Sequence, residues 1–161
     1  MNNITIIAVG NIKENYFREA ADEYLKRISP YAAVTVRELK EEKLPDRALS
    51  VTAAEIKKAL QKEGNAIIGS LPKNAYVISL CVEGVKYSSE QFAGIFGTVP
   101  SGRNIVFIIG SSHGLSDDVK EKFDLKLSFS DMTFPHRLMR VILCEQLYRA
   151  FTIINNGKYH K

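Results

Sequence analysis

Residues 104–116 read Asn-Ile-Val-Phe-Ile-Ile-Gly-Ser-Ser-His-Gly-Leu-Ser, and this stretch decides the fold class. Five consecutive large apolar side chains, from Ile105 to Ile109, leave neither face of a strand polar, which predicts a strand buried on both sides. Gly110 and Gly114 bracket a turn. Ser116 then offers a helix cap, and Asp117 and Asp118 stand in the first turn, where the helix dipole favours acidic groups. A doubly buried strand running through a glycine-bearing turn into a capped helix is the repeating unit of a parallel sheet covered by helices.

The same alternation extends in both directions. Strands are expected at residues 4–9, 34–38, 76–82 (YVISLCV) and 125–129. Helices are expected at 16–28, 52–62, 88–96 and 117–123, with a long one from His136 to about residue 153. Ser29-Pro30 ends the first helix, because proline disfavours helix in its predecessor. Gly64 is expected to stop the second, and Ser88 or Ser89 caps the third. No repeat, low-complexity segment or linker interrupts the pattern. The expectation is one α/β domain over residues 1–161, with a mostly parallel sheet covered on both faces.

The last helix is apolar nearly all round: Leu138, Met139, Val141, Ile142, Leu143, Leu147, Phe151 and Ile154 leave no continuous polar face. Such a helix is buried on more than one side, whereas a peripheral helix of a small α/β domain buries one. A homodimer built on this helix is therefore expected.

Composition narrows the function classes. The chain has 161 residues, 45% hydrophobic and 25% charged, which is globular rather than disordered. No apolar run approaches the ~20 residues of a membrane span, and residues 1–3 lead straight into a strand, so neither signal peptide nor membrane association is expected. Cys81 and Cys144 lack CxxC spacing, which excludes a disulfide scaffold and a zinc ribbon and points to a cytoplasmic protein. Of the net charge of +4, three units fall in residues 131–161, which hold five basic and two acidic groups. A positive, histidine-bearing segment on a neutral body suggests a surface that faces phosphate.

Ligands of open parallel sheets bind beyond the carboxyl ends of the strands. Two loops are placed there, 110–114 after the fourth strand and 130–135 after the fifth. There is no GxGxxG after the first strand, and Gly64 and Gly69 are followed by Ser70 rather than by the lysine of a phosphate-binding loop. A dinucleotide-binding Rossmann enzyme and a P-loop NTPase are thus disfavoured. No HExxH occurs, and the histidines are too scattered to argue for a metal site. His136 and Arg140 stand one turn apart near a helix start, and Glu145 and Arg149 share the same spacing further along. On spacing alone each pair reads equally as a solvated helix surface, and Tyr159-His160 at the chain end reads as a frayed tail or a docked site component.

Taken together, the fragments 80–84 (LCVEG), 109–116 (IGSSHGLS), 127–140 (LSFSDMTFPHRLMR), 145–150 (EQLYRA) and Tyr159-His160 are specific. With residues 6–10 (IIAVG) and 23–27 (EYLKR), they make the chain resemble, over its full length, the RlmH family of SPOUT methyltransferases. The resemblance implies a C-terminal trefoil knot, a homodimer and S-adenosylmethionine as cofactor. It implies cofactor contacts by Leu80, Gly110 and Gly114, and by Phe129, Ser130, Asp131, Met132, Thr133 and Phe134. The implied reaction is methyl transfer to N3 of a pseudouridine in 23S ribosomal RNA, in helix 69 of the assembled large subunit or ribosome.

For that chemistry His136 is the candidate general base, since an unperturbed histidine titrates near 6.5. Arg140 is expected to orient the base or bind phosphate, and Tyr159 and His160 to complete the site, across the dimer. Arg137, Arg149, Lys158 and Lys161 are the further candidates for RNA contact. One departure stands out. Most relatives have Gly-Gly where this chain has Gly110-Ser111, and serine tolerates positive φ poorly, so the substitution bears on cofactor affinity.

Two other readings stay open: a non-catalytic ribosome-binding or assembly module of the same fold, and an α/β enzyme using these loops on a free nucleotide. Methyl incorporation into ribosomes separates the first, and activity on mononucleosides the second.

Overall fold

The computed structural model describes residues 2–45 and 50–161. Among them the chain runs β1 (Asn2–Val9), α1 (Asn15–Ile28), β2 (Ala32–Leu39), α2 (Ala53–Ser70), β3 (Ala75–Lys86), α3 (Ser89–Thr98), β4 (Asn104–Ile109), α4 (Asp117–Lys120), β5 (Leu125–Ser128) and α5 (His136–Ile154). The strands form one sheet in the order β2-β1-β4-β3-β5, and every pairing is parallel.

Alternate residues of the central strands serve two cores. On one face Ile4, Ile6, Ile78, Ile105 and Phe107 meet Ile28 of α1, Phe92 and Phe96 of α3, and Leu143, Leu147 and Phe151 of α5. On the other, Ile7, Val9, Val106 and Ile108 meet Ile67 of α2 and Leu115. This two-sided burial is why the strands read as unbroken apolar runs. Capping boxes start α2 (Thr52 with Glu55) and α3 (Ser88 with Gln91).

Gly64 does not end α2, which continues to Ser70. A Cβ at position 64 would lie 2.4 Å from Val119 Cγ2, so the glycine serves close packing against α4 and is tolerated inside the helix. α4 is a single turn ending at Lys120, shorter than the 117–123 expected, because the chain tightens at Glu121 and Lys122 before entering β5. β3 is longer than 76–82. Leu80 and Val85 both face Leu127, so residues 81–84 loop out of register before β3 rejoins β5. Gly84 crosses β5 so closely that a Cβ would come within 2.7 Å of the Leu127 and Lys126 carbonyl carbons.

The two-sided burial of α5 has a source within the chain. α5 lies on the same sheet face as α1 and α3 and packs against both. From His136 to Ile153 none of its residues is exposed. α1 and α3 thus cover much of its apolar circumference, while Leu138, Met139, Val141 and Ile142 stay only half-buried. No helix among the described residues is long and apolar enough to cross a membrane.

Candidate active site

A cleft of about 610 Å³ opens beyond the carboxyl ends of β3, β4 and β5. Its walls come from three segments: the out-of-register residues after Leu80, the turn after β4, and the loop from β5 into α5. Leu80, Gly110, Gly114, Phe129, Ser130, Met132, Thr133 and Phe134 all line it, as does His136. Asp131 does not. It is turned outward and paired with Lys86 at 2.6 Å.

The turn after β4 depends on its glycines. A Cβ on Gly110 would come within 2.4 Å of the Gly114 carbonyl oxygen, and Gly114 itself has φ +82°. The amide of Gly114 donates to the Ser111 carbonyl at 2.9 Å, which closes the turn. Ser111 departs from the expectation of strain: it is absent from the positive-φ residues, and its hydroxyl points away to donate to Glu63 at 2.8 Å. The loop after β5 is braced by two local bonds, from the Ser128 hydroxyl to the Ser130 carbonyl and from the Met132 amide to the Ser130 hydroxyl.

His136 is the first residue of α5. Burial pushes its pKa below the ordinary value, Glu41 opposes this, and Arg137 and Arg140 reinforce it. The ring packs over Gly10, where a built Cβ would lie 3.1 Å from its Cε1. Arg140, 5% exposed, sits beneath. Its Nη1 donates to Glu38 Oε1 at 2.5 Å and its Nη2 to the Gly10 carbonyl at 2.8 Å. Arg137 is paired with Glu14 at 2.7 Å. Both arginines are thus engaged within the chain.

The tail is docked rather than frayed. The Tyr159 hydroxyl donates to Glu145 at 3.0 Å, His160 Nε2 lies 2.7 Å from Glu90, and Arg149 donates to His160 Nδ1 at 3.3 Å. Arg149 also pairs with Glu145 and stacks over the Tyr159 ring at 4.7 Å. Burial, with Tyr24 and Glu145, holds the Tyr159 phenol well above its ordinary pKa. Thirteen residues of helix separate His136 from Arg149, roughly 20 Å at 1.5 Å per residue. His136 and Arg140 therefore stand at one end of α5 and Tyr159 and His160 at the other, and a single chain does not bring the two pairs together. Lys158 and Lys161 are exposed and make no ion pair among the described residues.

Two features escaped the sequence reading. Lys120 lines the cleft. Burial pushes its pKa down, but ion pairs with Glu83 and Asp117 outweigh that and leave it above the ordinary value. A second cleft, of about 640 Å³, lies between the ends of β1 and β4 on the far side of Ser111-Ser112-His113, where the chain leaves the two strands in opposite directions. Glu38, Glu41, Glu42 and Glu63 line it together with Lys13 and Lys43. Spacing in sequence gives no sign of these groupings, which the fold assembles from segments far apart in the chain.

The arrangement is a roomy, largely apolar cleft over a tight glycine turn, with an imidazole on its wall. Comparison with known proteins gives it a family. Residues 2–160 match the model of the family described as "Predicted SPOUT methyltransferase". Ribosomal RNA large subunit methyltransferase H of Carboxydothermus hydrogenoformans is 47% identical over 160 residues, covering 98% of this chain and 99% of that protein. The chain belongs to the RlmH family of SPOUT methyltransferases. The family relative from Methanococcus maripaludis, named a putative ribosomal RNA large subunit methyltransferase H, is 49% identical over 161 residues, covering 99% of each chain. The solved structure of a probable methylase family protein from Haemophilus influenzae Rd KW20 shares the fold at 14% identity and TM-score 0.57, covering 99% of this chain and 71% of that one. As a member of the family the chain is a methyltransferase.

The family implies S-adenosylmethionine, and the cleft fits it. The volume lies within the ~300–1,000 Å³ range of small-molecule sites. The walls offer Leu80, Leu115 and Phe134, and a Cβ built on Gly114 meets nothing within 4 Å, so the turn borders open space. Leu80, Gly110, Gly114, Phe129, Ser130, Met132, Thr133 and Phe134 are the residues that would hold it.

Proposed function

We propose that this chain transfers the methyl of S-adenosylmethionine to N3 of a pseudouridine in 23S ribosomal RNA, in helix 69 of the assembled large subunit or ribosome. It acts in the cytoplasm, as a homodimer whose C-terminal part is threaded into a trefoil knot. The observation that carries this reading is the placement of His136 on the wall of the cleft built by Leu80, the 110–114 turn and the 129–134 loop.

When bound, S-adenosylmethionine supplies an electrophilic methyl on a sulfonium. The chain's own task is to present the nucleophile in line and remove its proton. His136, kept neutral by burial, accepts the N3 proton at an imidazole nitrogen. Arg140 acts as a positioning residue: its bonds to Glu38 and Gly10 fix the start of α5 on the ends of β1 and β2. Arg137 and Arg149 lend positive charge from within ion pairs, and Lys158 and Lys161 contact phosphate directly. Tyr159 and His160 stand too far from their own His136 to act there, which supports a site completed by a second copy. Exposed Val82, Val85 and Met132, beside the cleft, give that copy an apolar surface to cover.

Incubating the chain and labelled S-adenosylmethionine with ribosomes from a strain lacking this gene tests the reading. Label in 23S RNA is expected, and none on free mononucleosides. Label confined to mononucleosides would replace this reading with the free-nucleotide one.

A further inference from the structure

The strip Ser111-Ser112-His113 separates the two clefts, and it is held from the side away from the cofactor. Ser111 is 6% exposed, and its hydroxyl donates to Glu63 Oε2 on α2 at 2.8 Å. The other carboxylate oxygen, Oε1, accepts the Glu42 amide at 3.0 Å. Glu63 is 4% exposed, so water does not compete for either bond. One helix carboxylate thus ties the turn after β4 to the segment after β2. The Ser111 carbonyl in turn accepts the Gly114 amide, which carries the anchorage across the whole turn. One residue further on, Ser112 donates to Glu41 from its amide at 3.4 Å and its hydroxyl at 3.0 Å, in an exposed position.

A carboxylate buried beside Glu41 and Glu42 is costly. Burial pushes Glu63 above the usual carboxylate range, and its two donors oppose that only in part. An apolar side chain of similar size is often the more stable choice at such a position. What Glu63 does that an apolar residue cannot is hold Ser111.

We propose that Glu63 is a positioning residue for the cofactor: through Ser111 it fixes the 110–114 turn at the geometry S-adenosylmethionine needs, without touching the ligand. Glu63 lines the second cleft and not the cofactor cleft, so the effect passes through the hydroxyl. The proposal rests on the reading of S-adenosylmethionine as cofactor.

Calorimetric titration of the full chain with S-adenosylmethionine, paired with thermal melts without ligand, tests it. The variants are Glu63→Ala, Glu63→Gln, Ser111→Ala and the double alanine variant. Loss of a hydrogen bond to a charged group is worth about tenfold in affinity when it is fully transmitted. Glu63→Ala and Ser111→Ala are each expected to weaken binding about tenfold, and the double variant no more than either. Glutamine at position 63 still accepts the Glu42 amide and donates to Ser111, so Glu63→Gln is expected to stay within about twofold of wild type. Unchanged affinity in Ser111→Ala, a lowered melting temperature alone in Glu63→Ala, or losses that multiply in the double variant would each overturn the proposal. Ser111→Ala decides the matter if Glu63→Ala does not fold. Absence of binding to the wild type would instead overturn the cofactor reading itself, and this proposal with it.

Discussion

Arg140 and Glu38 form an ion pair of 2.5 Å in which the guanidinium is 5% exposed, and the same arginine takes the Gly10 carbonyl at 2.8 Å. The pair fastens the start of α5 to the ends of β2 and β1, directly under His136. Glu38 is 37% exposed and stays solvated when the arginine is removed, so the cost is that of the lost hydrogen bonds and the Gly10 carbonyl left without its donor, about 1–3 kcal/mol. Arg140→Ala is expected to lose that much in urea denaturation, and Arg140→Lys less, since it keeps one cationic contact. Wild-type stability in Arg140→Ala would show that the contact does not hold the site together.

His136 is expected to be neutral at pH 7, because burial lowers its pKa below the usual 6.5 or so and outweighs Glu41. The unfolded chain then binds more protons than the folded one between the depressed value and about 6.5, so the His136 contribution to stability rises with pH across that window and is lost on acidification. Proton NMR titration of the imidazole checks the direction. His136→Ala is expected to lower methyl transfer about 10²–10⁴-fold and to abolish the acid limb of the pH–rate profile, as loss of a general base does. A near-wild-type rate at saturating RNA would remove His136 from the chemistry.

Glu63 carries the opposite sign. Burial, opposed only in part by Glu42 and Ser111, raises its pKa above 4.5, so the folded chain binds more protons than the unfolded one above that value. Its contribution to stability therefore falls as pH rises through the window from 4.5 to its folded pKa. Glu63→Gln lacks this dependence. The melting temperature of Glu63→Gln minus that of wild type is expected to increase from pH 4.5 upward in a buffer series, and a flat difference would mean that the carboxylate is not desolvated.

Gly110→Ala places a methyl 2.4 Å from the Gly114 carbonyl oxygen, and the turn must open to admit it. The expected result is loss of S-adenosylmethionine binding by calorimetry in a chain that still melts cooperatively. Retained affinity would mean that the closed turn is not the binding geometry.

The parallel sheet was legible because β4 and its neighbours are buried on both faces, and a run such as Ile105 to Ile109 leaves no polar face to turn toward water. The local cost of a glycine in a helix shows in sequence, whereas the fit of Gly64 against Val119 arises only after folding. The apolar circumference of α5 is legible in sequence, but the share of it that α1 and α3 cover is not, because they pack there from positions far away in the chain. The cleft residues followed from the family motifs. Glu63, Glu38 and Glu41 come from segments that carry no motif, and they meet Ser111, Arg140 and Ser112 only in the folded sheet. The family resemblance gives His136 and Arg140 one shared role, whereas in the fold the arginine is bonded to Glu38 and the Gly10 carbonyl and the imidazole lines the cleft.

Methyl transfer to a ribosomal pseudouridine is tested most directly by mass spectrometry of 23S RNA from cells with and without this gene. The predicted result is one N3-methylated pseudouridine, in helix 69, that is present with the gene, absent without it and restored by the wild-type chain but not by His136→Ala. Identical methylation of 23S RNA in the two strains would contradict it.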